Sequence, residues 1–172
     1  MLKSSSRLLS LYHFSPLSRL VTSSPRFSAQ YTISRTYQAR FHRQSVNMSG
    51  MTPIFAKDAC PPAGPYSQAI RANGQLFVSG QIPADATGNL VEGNIGEKTQ
   101  VCCNNIKAIL DAAGSSVDKV VKVNVFITDM ANFAEMNATY EKFFTHKPAR
   151  SCVAVAQLPK GVPVEIECIA LE

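Results

Sequence analysis

One arginine stands where a single side chain could grip a small anion. In Pro148-Ala149-Arg150-Ser151-Cys152 it follows a rigid proline at the predicted start of a strand. From there a planar guanidinium with five donors can hold a carboxylate by two bonds. A surface or interface ion pair would look the same. Glu165 and Glu167 alternate on a later strand, which puts them about 6.5–7 Å apart. That spacing suits the paired acid and base of an inverting glycosidase, but it also suits a solvated strand face, and nothing in the chain argues for a sugar cleft. Cys152 as a nucleophile would need a base. The only histidine after Met51, His146, lies six residues upstream at a predicted helix end, so the thiol reads as half-buried and inert. Ser79 before Gly80 lacks the flanking glycine and following helix of a nucleophile elbow. Gly64-Pro65-Tyr66 alone is a turn with a packed aromatic.

Metal and disulfide chemistry find little support. The five cysteines (Cys60, Cys102, Cys103, Cys152, Cys168) are odd in number and form no C-x-x-C pair, and two of the three histidines precede Met51. Neither a zinc site nor a disulfide framework follows. Cys102 and Cys103 are adjacent on a predicted helix and point to different sides, as small core or boundary residues of a reducing compartment would.

The elements that must position these residues can be read from pattern. Ile54 to Lys57 is a short strand candidate. Tyr66 to Arg71 and Leu76 to Ser79 pair across Asn73-Gly74, a tight-hairpin signal, and Pro83 to Gly93 is a loop. A helix opens at Asn94 with Glu97 completing a capping box, carries Ile95, Cys102, Ile106, Ile109, Leu110 and Ala113 at helical spacing, and stops at Gly114. Val117 to Thr128 is a β-branched strand. Asn132 and Glu135 give a second capping-box pattern for a helix to about Phe144, with Phe133, Met136, Tyr140, Phe143 and Phe144 facing a sheet. Strands over Arg150 to Ala156 and Val162 to Leu171 close the chain. The order β-β-β-α-β-α-β-β predicts a single α+β domain, a mixed sheet with both helices on one face. Alternation sends Val164, Ile166 and Cys168 to one face and Glu165 and Glu167 to the other. That second face also carries Ile169 and Leu171 with no helix left to cover them, which implies an oligomer.

Charge divides the 172 residues in two. The formal total is +5, yet residues 1–50 hold seven Lys/Arg, twelve Ser and no acid, while residues 51–172 hold 10 basic against 12 acidic residues, a net −2. The first stretch fits an Arg- and Ser-rich, acid-free transit peptide, with Leu8, Leu9, Leu11, Tyr12, Phe14, Leu17 and Leu20 on one side of a helix opposite Arg7 and Arg19; a disordered basic tail is the plainer alternative. Arg26 or Arg35 could precede a processing site, and Met48 or Met51 could start a second, cytosolic form. Residues 51–172 are the folding domain. They keep no basic stripe for nucleic acid and no apolar run of the ~18 residues a membrane span needs.

In order along the chain, Gly64-Pro65-Tyr66-Ser67-Gln68-Ala69, Val78-Ser79-Gly80-Gln81-Ile82-Pro83, Val125-Phe126-Ile127-Thr128-Asp129, Asn137-Ala138-Thr139-Tyr140, Pro148-Ala149-Arg150-Ser151-Cys152-Val153 and Leu158-Pro159-Lys160-Gly161-Val162-Pro163-Val164-Glu165-Ile166-Glu167 closely resemble the RidA (reactive intermediate/imine deaminase) family, over essentially all of residues 51–172. The leader resembles that of mitochondrial members.

The resemblance implies a chorismate-mutase-like subunit, a homotrimer with three clefts between neighbouring subunits, and hydrolysis of 2-iminobutanoate and 2-iminopropanoate to 2-oxo acids and ammonia without metal or organic cofactor. Such imines arise from pyridoxal-phosphate enzymes and damage others, so it further implies protection of those enzymes and support of branched-chain amino-acid metabolism, isoleucine formation included, and of mitochondrial maintenance in the matrix. Carried over by position, Arg150 with the backbone N–H of Cys152 holds the substrate carboxylate, Glu165 orients or deprotonates the water, Tyr66 closes the pocket, Ser79 and Asn137 position water or substrate, and Glu167 is structural. The competing reading is a trimeric ligand-binding or chaperone-like protein, or an endoribonuclease.

Overall fold

The computed structural model describes residues 50–172; the transit-peptide reading and the candidate start at Met48 lie outside them. Six strands form one sheet: β1 (Thr52–Ile54), β2 (Ala69–Ala72), β3 (Gln75–Gln81), β4 (Val120–Ile127), β5 (Ala149–Ala154) and β6 (Val164–Leu171), with helices α1 (Ile95–Ala112) and α2 (Phe133–Phe143) between them. The spatial order is β1-β2-β3-β6-β4-β5. Only β4 and β5 run parallel; every other neighbour is antiparallel. The α+β class, the element order and the mixed sheet agree with the sequence.

Local chemistry accounts for the punctuation. Asn73 and Gly74 sit at φ 51° and 74°, the left-handed pair that a two-residue hairpin turn demands, and Ala72 faces Gln75 across it. The Asn94 side chain accepts from the Glu97 N–H at 2.8 Å while the Glu97 carboxylate accepts from the Asn94 N–H at 2.9 Å, the reciprocal box expected. At the other end of α1, Gly114 (φ 76°) donates to the Asp111 carbonyl and Ser115 to that of Leu110, a Schellman closure.

Three local expectations need correction. Asn132 does not cap α2: its side chain makes no capping bond and its backbone is already helical. Asp129 takes that place, capping the 3-10 turn Met130–Asn132 through the Ala131 N–H, and Glu135 instead accepts from the Gly96 N–H of α1. The first strand is Thr52–Ile54, not Ile54 to Lys57, because both backbone groups of Ala56 are taken by the Gln68 side chain. The second begins at Ala69 rather than Tyr66: the Gln68 carbonyl still accepts from the Ser79 N–H, but its side chain turns into the core to hold Ala56 and Cys60.

One face of the sheet and both helices enclose the core. Leu76, Val123, Val125, Ile127, Val164 and Ile166 meet Ile106, Ile109 and Leu110 of α1, with Met136 and Tyr140 of α2 and Phe144 just beyond it, each large apolar side chain contributing about 1.5–3 kcal/mol on burial. Cys102, Cys103 and Cys168 are buried here as free thiols. Burial pushes Cys103 and Cys168 up to about 12. Among the described residues nothing forms a layer over the other face. Phe77, Val153 and Leu171 stand 43–46 % exposed there, beside half-buried Ile169. Among the described residues no helix is long and apolar enough to cross a membrane.

Candidate active site

Glu165 follows from alternation on β6. Its neighbours Val164 and Ile166 are fully buried, so its own side chain leaves the open face, opposite Phe126 of β4. It lines a cleft of about 340 Å³ with Ala63, Tyr66, Ser79, Gly80, Ile82, Pro159 and Lys160. Partial burial, reinforced by the charge of Glu167, raises its carboxyl above the usual carboxylate value. No ion pair reaches Glu165 among the described residues.

Gly80 makes this placement possible. The β3–β6 register slips between Val78 and Gln81, and a Cβ built on Gly80 would lie 1.8 Å from Glu165 Oε1. Any side chain at Gly80 would expel the carboxylate. A glycine inside a strand marks such bulges and close approaches, and that signal sits beside Ser79 in the sequence.

Two buried amides, also without a role in the sequence reading, hold the cleft walls. Gln68 donates to the carbonyls of Ala56 and Cys60 and accepts from the Ala56 N–H. Asn105 of α1 accepts from the Cys60 N–H and donates to the Ala84 and Ile82 carbonyls. Together they fix the Cys60–Pro65 turn from which Tyr66 projects. The Tyr66 hydroxyl accepts from the Ala63 N–H at 3.1 Å, so its ring, about half exposed, folds back along the turn at the cleft mouth. Ser79 donates its hydroxyl to the Ser67 carbonyl at 2.7 Å, which leaves the oxygen lone pairs for a ligand. A small satellite core of Cys60, Ile82, Ala84 and Val162, with Leu158 against it, ties this wall to the turn carrying Lys160, whose backbone is left-handed at φ 55°.

Arg150 and Cys152 occupy β5, in register with fully buried Val123 and Val125 of β4. Their side chains therefore leave the helix-covered face. Arg150 Nη1 donates to Asn137 Oδ1 at 2.7 Å, and its guanidinium lies over the ring of Tyr140 at 4.5 Å. Arg150, Asn137 and Tyr140 line a second, open cavity with Glu141, Phe144, Lys147 and Pro148. No carboxylate pairs with Arg150 among the described residues. Burial raises the Cys152 thiol although Arg150 opposes it, so at neutral pH the sulfur is protonated and a poor nucleophile.

The expected residues thus fall into two groups. Tyr66, Ser79 and Glu165 converge on one cleft; Arg150, Asn137 and Cys152 gather at the edge strand. Within one chain the sheet separates them, since Arg150 and Glu165 leave opposite faces. Glu167, also on the open face, accepts from Asn124 Nδ2 at 2.7 Å. Among the described residues no group of three or more His, Cys, Asp or Glu converges on a point.

Comparison with known proteins extends this picture. A family model described as endoribonuclease L-PSP matches residues 56–172. The mitochondrial protein Mmf1 of Saccharomyces cerevisiae is 53 % identical over 123 residues, 71 % of this chain and 85 % of that protein. The 2-iminobutanoate/2-iminopropanoate deaminase of Salmonella typhimurium is 44 % identical over 126 residues, 70 % of this chain and 98 % of the enzyme. Among solved structures, that of yeast Mmf1 superposes with a TM-score of 0.70 at 52 % identity, covering 71 % of this chain and 98 % of the other. Escherichia coli TdcF with bound serine superposes at 0.67 and 40 % identity, covering 70 % and 98 %.

Proposed function

The chain belongs to the endoribonuclease L-PSP family, also known as RidA, and from that premise we propose that it is a hydrolytic deaminase of small 2-imino acids, 2-iminobutanoate and 2-iminopropanoate, working without metal or organic cofactor. The observation that carries the reading is Arg150: a half-buried guanidinium steadied by an amide and an aromatic ring, with no carboxylate among the described residues to neutralise it. Such a group is poised for a substrate carboxylate. A relative that binds serine, itself a small 2-amino acid, is in keeping with a ligand of this size.

In the proposed reaction, Arg150 with the Cys152 backbone N–H holds the carboxylate and presents the C=N carbon to a water at Glu165. Glu165, ionised, takes a proton from that water as the oxygen bonds to the imine carbon. The imine nitrogen takes that proton from Glu165 to complete the amino alcohol; Glu165 then removes the hydroxyl proton and passes it to nitrogen, so that the C–N bond breaks, ammonia leaves and the C=O forms. One water is consumed per 2-oxo acid and ammonia released. Positioning supplies much of the rate and proton transfer the rest. Ser79 and Asn137 position water or substrate, and Tyr66 closes the mouth.

Because the two groups of residues leave opposite faces of one sheet, the proposed site forms between copies. The β5 edge of one subunit lies against the Glu165 cleft of the next in a homotrimer, covering the apolar open face. Ammonia or 2-oxo acid release from freshly generated 2-iminobutanoate, compared with the spontaneous rate, tests the reading. The protein should accelerate it, and Arg150→Ala should abolish the acceleration while the assembly mass is unchanged; an active Arg150→Ala protein would sink the mechanism. We place the enzyme in the mitochondrial matrix, in line with the mitochondrial relative and the acid-free leader, with a shorter cytosolic form starting at Met48 or Met51. A reporter fused to residues 1–50 should then enter mitochondria, and a diffuse cytosolic signal would refute the leader reading.

A further inference from the structure

A guanidinium can grip a carboxylate by two parallel bonds only if its plane and its rotation within that plane are both fixed. The flexible arginine stem fixes neither. One face of α2 supplies both constraints. Phe133, Asn137 and Tyr140 recur at i, i+4 and i+7, so they form a single stripe along the helix. The Arg150 Cζ atom lies 4.5 Å from the Tyr140 ring centroid and 5.8 Å from that of Phe133, while Asn137 Oδ1 accepts from Nη1 at 2.7 Å. The rings set the plane and the amide stops rotation within it. The remaining donors are left for an anion.

Tyr140 has a further property that separates two roles. The residue is only 6 % exposed, and its hydroxyl is buried with no hydrogen-bond partner among the described residues. The hydroxyl therefore holds nothing in this arrangement, and the ring face is the part that meets the cation. Cation–π contact gains strength where water is excluded, as on this half-buried flank of β5.

We infer that Tyr140, aided by Phe133, is a positioning residue: its ring is the platform that orients Arg150 for the substrate carboxylate. As far as the substrate is concerned, this rests on the deaminase reading above. The test is steady-state kinetics with 2-iminobutanoate, together with calorimetric binding of 2-oxobutanoate, on the full chain and its Tyr140→Phe, Tyr140→Leu, Phe133→Leu and Arg150→Ala variants, each checked for assembly mass and thermal melting. Tyr140→Leu should raise KM and the 2-oxobutanoate Kd by about tenfold, equivalent to ~1.4 kcal/mol, with kcat falling less. Tyr140→Phe, which keeps the ring and removes the orphaned hydroxyl, should restore both constants to within about twofold of wild type.

A merely structural role would lower the melting temperature of Tyr140→Leu without moving KM in the fraction that stays folded, and that result would overturn the inference. If Tyr140→Leu does not fold, Phe133→Leu decides: a KM raised two- to threefold, roughly the weak end of cation–π strength, supports the platform, and an unmoved KM removes it. The two levels stay distinguishable. Loss of activity in Arg150→Ala with normal KM in both platform variants discards the platform and keeps the deaminase; full activity in Arg150→Ala discards the deaminase reading itself.

Discussion

At the scale of single residues, the role proposed for Glu165 sets two demands against each other. A general base must be ionised, yet burial and the nearby Glu167 make ionisation harder and hold its carboxyl above the ordinary value. The sign follows from linkage. A carboxylate with a raised folded-state pKa binds protons more readily in the folded than in the unfolded chain, so its unfavourable contribution is absent at low pH and appears as pH rises through the unfolded and then the folded value. Glu165→Gln should therefore raise the melting temperature at neutral pH, lose that advantage below about pH 4, and cut kcat by about 10²–10⁴-fold. Melting curves at the two pH values and one rate measurement check all three, and equal melting at neutral pH would contradict the assignment. Removing the neighbouring charge in Glu167→Gln should shift the acid limb of the rate profile to lower pH, since the first-named cause, burial, remains while the second is gone. A limb that stays in place would show that Glu167 does not tune the base. The alternation that separates the two glutamates from the core was legible in the sequence. The closeness of Gly80 was not, because it depends on a bulge in β3 opposite a strand more than 80 residues away.

At the scale of elements, the two helix starts make a natural contrast. Both show Asn followed three residues on by Glu, but only Asn94 caps, because Asp129 earlier in the chain begins a 3-10 turn that draws Asn132 into helical backbone. Asn94→Ala should lower stability by about 1 kcal/mol and Asn132→Ala by only a few tenths, measured by chemical denaturation; equal losses would mean that the caps do not differ as described. Sequence periodicity reveals which residues share a helix face but not which partner that face meets. Asn137 and Tyr140 illustrate this. The motif resemblance places Asn137 in a cleft and the helical period places Tyr140 in the core, yet they belong to one stripe beneath Arg150. Strand ends were legible to within a few residues wherever backbone groups are free to join the ladder. They were misjudged where a buried side chain such as Gln68 claims those groups first.

At the scale of the molecule, the proposed site is divided between copies of the chain, which leads to an outcome that no single-subunit site would give. Arg150→Ala and Glu165→Gln proteins should each be inactive alone. After subunit exchange in equal mixture, random assembly should restore about a quarter of wild-type activity, since each interfacial site needs an intact arginine from one copy and an intact glutamate from its neighbour. Activity that stays at zero in verified mixed assemblies would place both residues in one subunit's site or in none. The uncovered sheet face was foreseen from Ile169 and Leu171. The separation of the expected residues by the sheet was not, because motif resemblance orders residues along the chain without saying on which side of the sheet each one emerges.

The place of β6 bears on how the domain comes to exist during synthesis. This strand is last in the chain but lies between β3 and β4 in the sheet. Until its residues leave the ribosome, the β1–β3 unit and the β4–α2–β5 unit have no strand to join them, and pairings so distant in sequence form late and slowly. The sheet therefore closes around its core only once β6 is in place. If the proposed leader directs import through a narrow membrane pore, a sheet completed by its last strand suits a chain that must enter that pore unfolded.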